Sequence, residues 1–233
     1  MSGDRPRVAL VTGASRGLGL ALARALGSRG WSLVIDARGA GPLGRARAEL
    51  ATATEVRVVA GDVADESHRR RLIDEARSLG RLDLVVNNAS LLGPSPQPTL
   101  EAYPLEVMED VYRANVLAPL RLVQLALPLL RDAADGRIIN ITSDAAVEAY
   151  EGWGGYGSSK AALEQLSNVL AAELTGLRVY WVDPGDMNTQ MQQEAYPGED
   201  VSDRPPPEAS VPGLLRLIEG DLPSGRYRAR DLS

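Results

Sequence analysis

The sequence predicts an α/β protein in which one domain is built on a doubly wound parallel sheet of about seven strands flanked by helices. Three observations carry that expectation. Short apolar runs alternate with stretches of helical spacing along the whole chain, as in successive βα units. The strand candidates read as unbroken hydrophobic runs, the signature of strands covered on both faces. The length of 233 residues suits a single domain with a substantial core, and neither an internal repeat nor a second domain interrupts the alternation.

The elements follow in order. Strand candidates run from Arg7 to Thr12, Ser32 to Asp36, Val56 to Ala60, Leu82 to Asn87, Arg137 to Ile141 and Arg178 to Asp183, with a weaker one from Gly225 to Ala229. Helical spacing covers Leu18 to Arg29, Leu43 to Ala51, Ser67 to Leu79, Tyr156 to Leu174 and Val211 to Ile218. A longer helix, Glu106 to Leu130, carries a candidate break near Asn115 to Pro119. Leu91 to Pro104 is rich in Pro and Ser and reads as a loop. Met187 to Pro207, polar and ending in Pro205-Pro206-Pro207, reads as a loop with little regular helix.

Composition excludes several functions. Without cysteine there are no disulfides and no thiolate metal sites, which agrees with a reducing cytoplasm, and no metal is expected. A net charge of -6 argues against a nucleic-acid surface. The basic cluster Arg69-Arg70-Arg71 is flanked by Asp65, Glu66, Asp74 and Glu75 and reads as a solvated helix face. No apolar run approaches the ~20 residues of a membrane span, and the N-terminus goes directly into a strand. A soluble protein of the cytoplasm is expected.

The basic residues number 25, and only one of them, Lys160, is a lysine. It follows Tyr156 by four positions, in Tyr156-Gly157-Ser158-Ser159-Lys160. On a helix the two side chains share a face. Bringing a phenol near neutrality takes roughly 4 kcal/mol of preference for the phenolate. One cation ~4 Å away at an effective dielectric of about 20 supplies about that much. The spacing alone is common, so other features must decide whether it matters.

A second constellation, Thr12-Gly13-Ala14-Ser15-Arg16-Gly17-Leu18-Gly19, ends the first strand and opens the first helix. Glycines there let the backbone turn sharply and approach a pyrophosphate, whose charge meets free N–H groups at the helix N-terminus. Their spacing differs from G-x-G-x-x-G.

With these residues the chain resembles the classical short-chain dehydrogenase/reductases, whose fold is a single-domain Rossmann fold and whose first motif is T-G-x-x-x-G-x-G. The resemblance spans nearly the whole chain. It implies cofactor contacts from Gly13, Ser15, Arg16, Gly17, Leu18 and Gly19, and an adenine contact from Asp62 and Val63. Asn87-Asn88-Ala89 matches the family's N-N-A-G, with Asn88 and Ala89 beside the cofactor; here Ser90 replaces the final glycine. Pro184-Gly185-Asp186-Met187-Asn188-Thr189 matches P-G-x-x-x-T, which implies that Pro184, Gly185, Met187 and Thr189 lie along the nicotinamide. The resemblance implies a catalytic set of Asn115, Ser143, Tyr156 and Lys160. In that set Tyr156 is the general acid and base, and Lys160 holds the ribose and favours the phenolate. Ser143 orients the carbonyl oxygen, and Asn115 positions a relay water.

The implied reaction is hydride transfer between a nicotinamide and a small-molecule carbonyl or alcohol. NADP(H) is favoured over NAD(H), because Arg38 falls where members preferring the 2′-phosphate carry arginine and Arg16 adds to the same pocket. Asp36 is the opposing signal, since an acid reaching the ribose hydroxyls would select NAD. Two alternatives stay open: a non-catalytic dinucleotide-binding regulatory protein and an NAD-dependent alcohol dehydrogenase. Between the candidate Ser and Tyr, the residues Glu148, Tyr150, Glu151 and Trp153 suit either a cationic or polar substrate or, on the simpler reading, a solvated loop edge. Residues 187–210 are expected to form a flexible substrate-side segment. His68, the single histidine, has no catalytic role in this reading. The resemblance implies a homodimer or homotetramer, with a dimer face on the helices Glu106 to Leu130 and Tyr156 to Leu174; the C-terminus departs from the family's usual ending.

Overall fold

A computed structural model describes residues 6–232, so residues 1–5 and 233 of the expected domain lie outside the described residues. Seven strands form one parallel sheet: β1 (Val8–Val11), β2 (Ser32–Ala37), β3 (Val56–Ala60), β4 (Leu84–Asn87), β5 (Arg137–Ile141), β6 (Arg178–Asp183) and β7 (Gly225–Arg228). Their spatial order is β3-β2-β1-β4-β5-β6-β7. The chain therefore winds outward from β1 to β3, returns to β4 on the other side of β1, and winds outward again. Every residue of β1, β4 and β5 is buried, as continuous apolar strands require when helices cover both faces.

The helices are α1 (Gly17–Gly27), α2 (Ala40–Leu50), α3 (Glu66–Ser78), α4 (Leu105–Tyr112), α5 (Ala118–Asp132), α6 (Gly154–Glu173), α7 (Gln190–Ala195) and α8 (Val211–Glu219). On one face of the sheet, Leu22 and Leu26 of α1, Leu43 of α2 and Leu214 of α8 share a core with residues of β1 to β6. On the other, Leu72 of α3 and Leu122 of α5 share a second core with the opposite-facing residues of the same strands. Each buried leucine contributes about 1.5–3 kcal/mol, so these two layers fix the strand ends on which the site is built.

Two stretches refine the sequence reading. The expected long helix is interrupted where anticipated: α4 passes into a wider π turn at Arg113–Leu117 before α5. Pro119, which has no N–H to donate back, stands just after it. The turn carries Asn115 fully into the interior. The second refinement locates the little regular helix expected in the later stretch. Met187 to Pro207 contains the helix α7, begun by Thr189, whose Oγ1 accepts from the Gln192 N–H at 3.3 Å, and supported by Gln190 Nε2 donating to Glu194 Oε1 at 2.7 Å. A polar helix of one and a half turns has no apolar periodicity to betray it, and tertiary packing holds it.

Candidate active site

The site lies at the C-terminal ends of the strands, where the winding reverses between β1 and β4. Gly13 (φ 67°) and Gly17 (φ 55°) occupy left-handed conformations in the turn from β1 to α1. A Cβ on Gly13 would stand 2.9 Å from the Ala89 Cα, so the turn and the segment after β4 touch backbone to backbone. Thr12 Oγ1 fastens that contact by accepting from the N–H groups of Asn88 and Ala89, both at 3.0 Å. Asn88 Nδ2 returns a bond to Thr12 O at 2.8 Å. Gly19 packs behind the turn, where a Cβ would lie 2.6 Å from Asn88 Nδ2.

Beneath the turn is an arrangement the sequence reading missed. The Gly13 N–H donates to Asp36 Oδ1 at 2.7 Å, and Asp36 Oδ2 meets His68 Nε2 at 2.8 Å, with both side chains about 1% exposed. Asp36 therefore holds the glycine turn from below and also lines the cleft. His68 belongs to the frame of the site, against Gly61, where any Cβ would collide with its ring. An aspartate inside an apolar strand signals that a partner must exist; which residue it is depends on α3 crossing the sheet.

Arg38, exposed at the end of β2, makes no hydrogen bond or ion pair among the described residues. Arg16 instead bonds the Gln190 side chain of α7. α1 has no side-chain cap and no acidic residue in its first turn, so its N-terminal N–H groups and dipole face the cleft. Asp62 Oδ1 accepts from the Ala64 N–H at 2.8 Å and shapes the opposite wall with Val63.

At the other end, Tyr156 and Lys160 project from α6 and are buried. Lys160 Nζ donates to Ile141 O at 2.8 Å and lies 5.4 Å from the centre of the Tyr156 ring. Burial lowers the lysine pKa to about 7. Tyr156 moves the other way: burial first, then the charges of Asp144 and Asp183, push its phenol well above the ordinary value, opposed by the nearby Ser90 hydroxyl. In the chain without cofactor the ammonium is thus bonded to a strand carbonyl and made less basic by burial. Ser143 Oγ donates to Asp144 Oδ1 at 2.9 Å, and Asp144 Oδ2 accepts from the Tyr150 hydroxyl at 3.1 Å. Asn115 Oδ1 accepts from the Leu91 N–H (2.8 Å) and Ser90 Oγ (3.1 Å), while its Nδ2 donates to Leu91 O (2.9 Å) and Ser159 Oγ (3.0 Å).

A cleft of about 810 Å³ joins the two ends. Gly13, Ser15, Arg16, Gly17, Leu18, Arg38, Asp62, Val63, Asn88, Ala89, Tyr156, Lys160, Pro184, Met187 and Thr189 line it. Gly19, Asn115, Ser143 and Gly185 are not among the lining residues. Gly185 (φ 75°) makes the bend after β6, closed by its N–H donating to Asp183 Oδ1 at 2.8 Å. Beyond Tyr156, an apolar cluster of Leu92, Ala145 and Tyr156 is covered by Trp153, Met191 and Ala195. Glu148, Tyr150 and Glu151 are exposed, in keeping with a solvated loop edge. Leu92 and Ala195 had no sequence signal, being ordinary apolar residues in segments without periodicity.

A family model described as short chain dehydrogenase matches residues 7–200. The rhamnolipids biosynthesis 3-oxoacyl-[acyl-carrier-protein] reductase of Pseudomonas aeruginosa is 35% identical over 229 residues, which is 95% of this chain and 83% of that protein. The chain belongs to the short chain dehydrogenase family. Among solved structures, a short chain dehydrogenase from Pseudomonas syringae superposes with a TM-score of 0.90 at 33% identity, covering 96% of this chain and 94% of that one. Another, from Escherichia coli CFT073 and complexed with NADPH, gives 0.85 at 29% identity, covering 96% of each chain.

This short chain dehydrogenase is an oxidoreductase with the features a dinucleotide needs. Gly13 leaves no room for a side chain beside Ala89, the α1 N-terminus is open to an anion, and Arg38 has no partner among the described residues. No cluster of potential metal ligands occurs among the described residues, and no helix among them is long and apolar enough to cross a membrane.

Proposed function

We propose that the chain transfers a hydride between NADP(H) and a carbonyl or alcohol carbon, with Tyr156 as general acid and base. The observation that carries this reading is the burial of Tyr156 and Lys160 together in a cleft whose distant end presents the unpaired Arg38. With both oxygens of Asp36 bonded and the Arg38 guanidinium free, the second-strand end suits a 2′-phosphate better than bare ribose hydroxyls. The neighbour complexed with NADPH supports the same choice.

The nicotinamide, when bound, supplies or accepts the hydride. The chain's residues do the rest. In reduction Tyr156 gives its proton to the developing alkoxide, and in oxidation it removes the alcohol proton. Lys160, whose ammonium is bonded to Ile141 O beside the Tyr156 ring, would hold the ribose and favour the phenolate. Ser143 turns its hydroxyl from Asp144 toward the substrate oxygen, where charge develops. Asn115 fixes the segment after β4 through Leu91. Leu92, Trp153 and Met191 exclude water and favour a substrate whose carbonyl carries an apolar body. Residues 187–210, which include α7, are the segment that moves to admit it. The exposed Leu105, Leu117 and Val169 on α4, the π turn and α6 support a dimer across these helices, and a monomeric mass in solution overturns that assembly.

Calorimetric titration with NADPH and NADH, followed by ketones and aldehydes with apolar substituents, tests the function. Tighter binding of NADPH and its oxidation by at least one carbonyl compound are expected. Binding without turnover across a broad panel would instead support a regulatory dinucleotide-binding protein.

A further inference from the structure

In the proposed reaction Ser143 and Tyr156 act on one substrate oxygen, yet they stand on different elements. Ser143 follows β5, whereas Tyr156 and Lys160 belong to α6. The end of the strand must therefore be held against the helix. One tie is Lys160 itself, through Ile141 O at 2.8 Å. Another is the close approach of Gly157 to Ala145, where a Cβ would lie 2.6 Å from the Ala145 carbonyl oxygen. A third comes from β7, in the C-terminal segment that departs from the family's usual ending.

Arg226 of β7 reaches across β6, its neighbour in the sheet, to the end of β5. Its Nε donates to Glu164 Oε1 at 2.9 Å, and its Nη2 donates to Ser143 O at 3.3 Å. Glu164 Oε1 also accepts from Thr142 Oγ1 at 2.8 Å. Glu164 lies one helical turn beyond Lys160 on α6. Thr142, Glu164, Arg226 and Ser143 thus close a ring of hydrogen bonds and peptide linkage between the strand end and the helix. The Arg226 and Glu164 side chains are only 25% and 12% exposed, so water and salt screen the pair weakly.

We infer that Arg226 is a positioning residue for Ser143: with Glu164 it locks the end of β5 to α6, and so sets where the Ser143 hydroxyl stands relative to the Tyr156 phenol. The inference rests on the proposed reaction, in which Ser143 orients the substrate oxygen. Arg226 acts through the Ser143 backbone and takes no part in proton or hydride transfer.

Arginine suits this task better than lysine. A guanidinium carries separate N–H donors at fixed spacing, so one side chain satisfies the Glu164 carboxylate and the Ser143 carbonyl together. An ammonium keeps the charge, and with it the pair to Glu164, but has no planar fork to hold both acceptors in one geometry. The charge and the carbonyl bond can therefore be separated by substitution.

The test uses Arg226→Met and Arg226→Lys, and Arg226→Met combined with Ser143→Ala. Arg178→Met serves for comparison, because Arg178 pairs with Asp135 and Asp221, both at 3.3 Å, at the opposite end of β6. The readouts are kcat and KM for a carbonyl compound, the Kd for NADPH, the melting temperature, and hydrogen exchange over residues 142–147 by mass spectrometry. Small misplacements of reacting groups are costly, so Arg226→Met is expected to lower kcat about tenfold to a hundredfold, with the NADPH Kd within about threefold. Arg226→Lys is expected to hold the melting temperature near wild type and still lower kcat by about tenfold. In the Ser143→Ala background Arg226→Met should change kcat by no more than about twofold, because the group it positions is gone. Exchange over residues 142–147 should be faster in Arg226→Met than in Arg178→Met, and Arg178→Met should keep its kcat. A full effect of Arg226→Met in the Ser143→Ala background overturns the inference, as does an equal loss of kcat in Arg178→Met. A wild type that turns over no carbonyl compound counts against the proposed reaction. Exchange needs no turnover and then decides on the brace: no acceleration in Arg226→Met overturns it.

Discussion

The two ends of the cleft are built in opposite ways. At the dinucleotide end the side chains that matter most are out of sight: Asp36 and His68 are almost wholly buried and hold the Gly13 backbone from below. At the substrate end α7 has no fully buried residue and is held by a Thr189 cap, the bond of Ser95 Oγ to Glu194 O (2.6 Å), and contacts of Met191 and Ala195 with the Tyr156 cluster. One end is a frame whose precision comes from buried, satisfied polar groups. The other is a short cover with no fully buried residue of its own, the proposed route by which a substrate enters. A common cofactor can be met by a rigid frame, whereas a particular substrate is met by whatever the cover presents.

The contrast can be broken at several points. Tyr156→Phe removes the proton donor without disturbing either end. A fall in kcat of roughly 10²–10⁴ with NADPH affinity retained is expected, measured by steady-state kinetics and titration. Lys160 gives the next largest effect, on stability. Its pKa in the folded chain without cofactor is about 7 against an ordinary 10.5. Between those values the unfolded chain holds more protons, so stability rises as pH climbs through the window, and the penalty is fully present below it. Lys160→Met should therefore be more stable than wild type by roughly 4 kcal/mol near pH 7, with the difference shrinking toward pH 10 in denaturant titrations.

Asp36→Ala probes the frame. It leaves the Gly13 N–H and His68 without their buried partner, a loss of about 2–3 kcal/mol in unfolding free energy. NADPH affinity should fall with it, while kcat at saturating cofactor stays near wild type; an unchanged melting temperature would show that the pair does not hold the turn. Met191→Ala probes the cover and should be the mildest change. A few-fold shift in the KM for the carbonyl substrate is expected, with melting temperature and NADPH affinity unaltered. A melting temperature lowered as much as by Asp36→Ala would erase the distinction between frame and cover.

Much of this was legible from residue order. The strands announced themselves as apolar runs, and Gly13, Gly17 and Gly19 marked a turn between a strand and a helix. Tyr156 and Lys160 fell on one helix face because the spacing of four is a property of the helix itself. The break before Pro119 followed from proline lacking an N–H. Asp36 was visible as an anomaly but its partner was not, since His68 lies 32 positions away on another element. Ser90 was visible as a departure from a pattern, but its bond to Asn115 exists only because the π turn of one segment is clamped to the loop of another.

By itself, then, the sequence determined the elements, their order and the local motifs, because hydrophobic periodicity, glycine conformation and proline chemistry act over a few residues. Tertiary structure alone decided who meets whom. It joined Asp36 to His68, turned Lys160 toward Ile141 O, laid Met191 over Tyr156 and bonded Ser90 to Asn115. Those choices depend on burial and on satisfying every polar group taken out of water, and both are properties of the packed sheet and helices that no single segment carries.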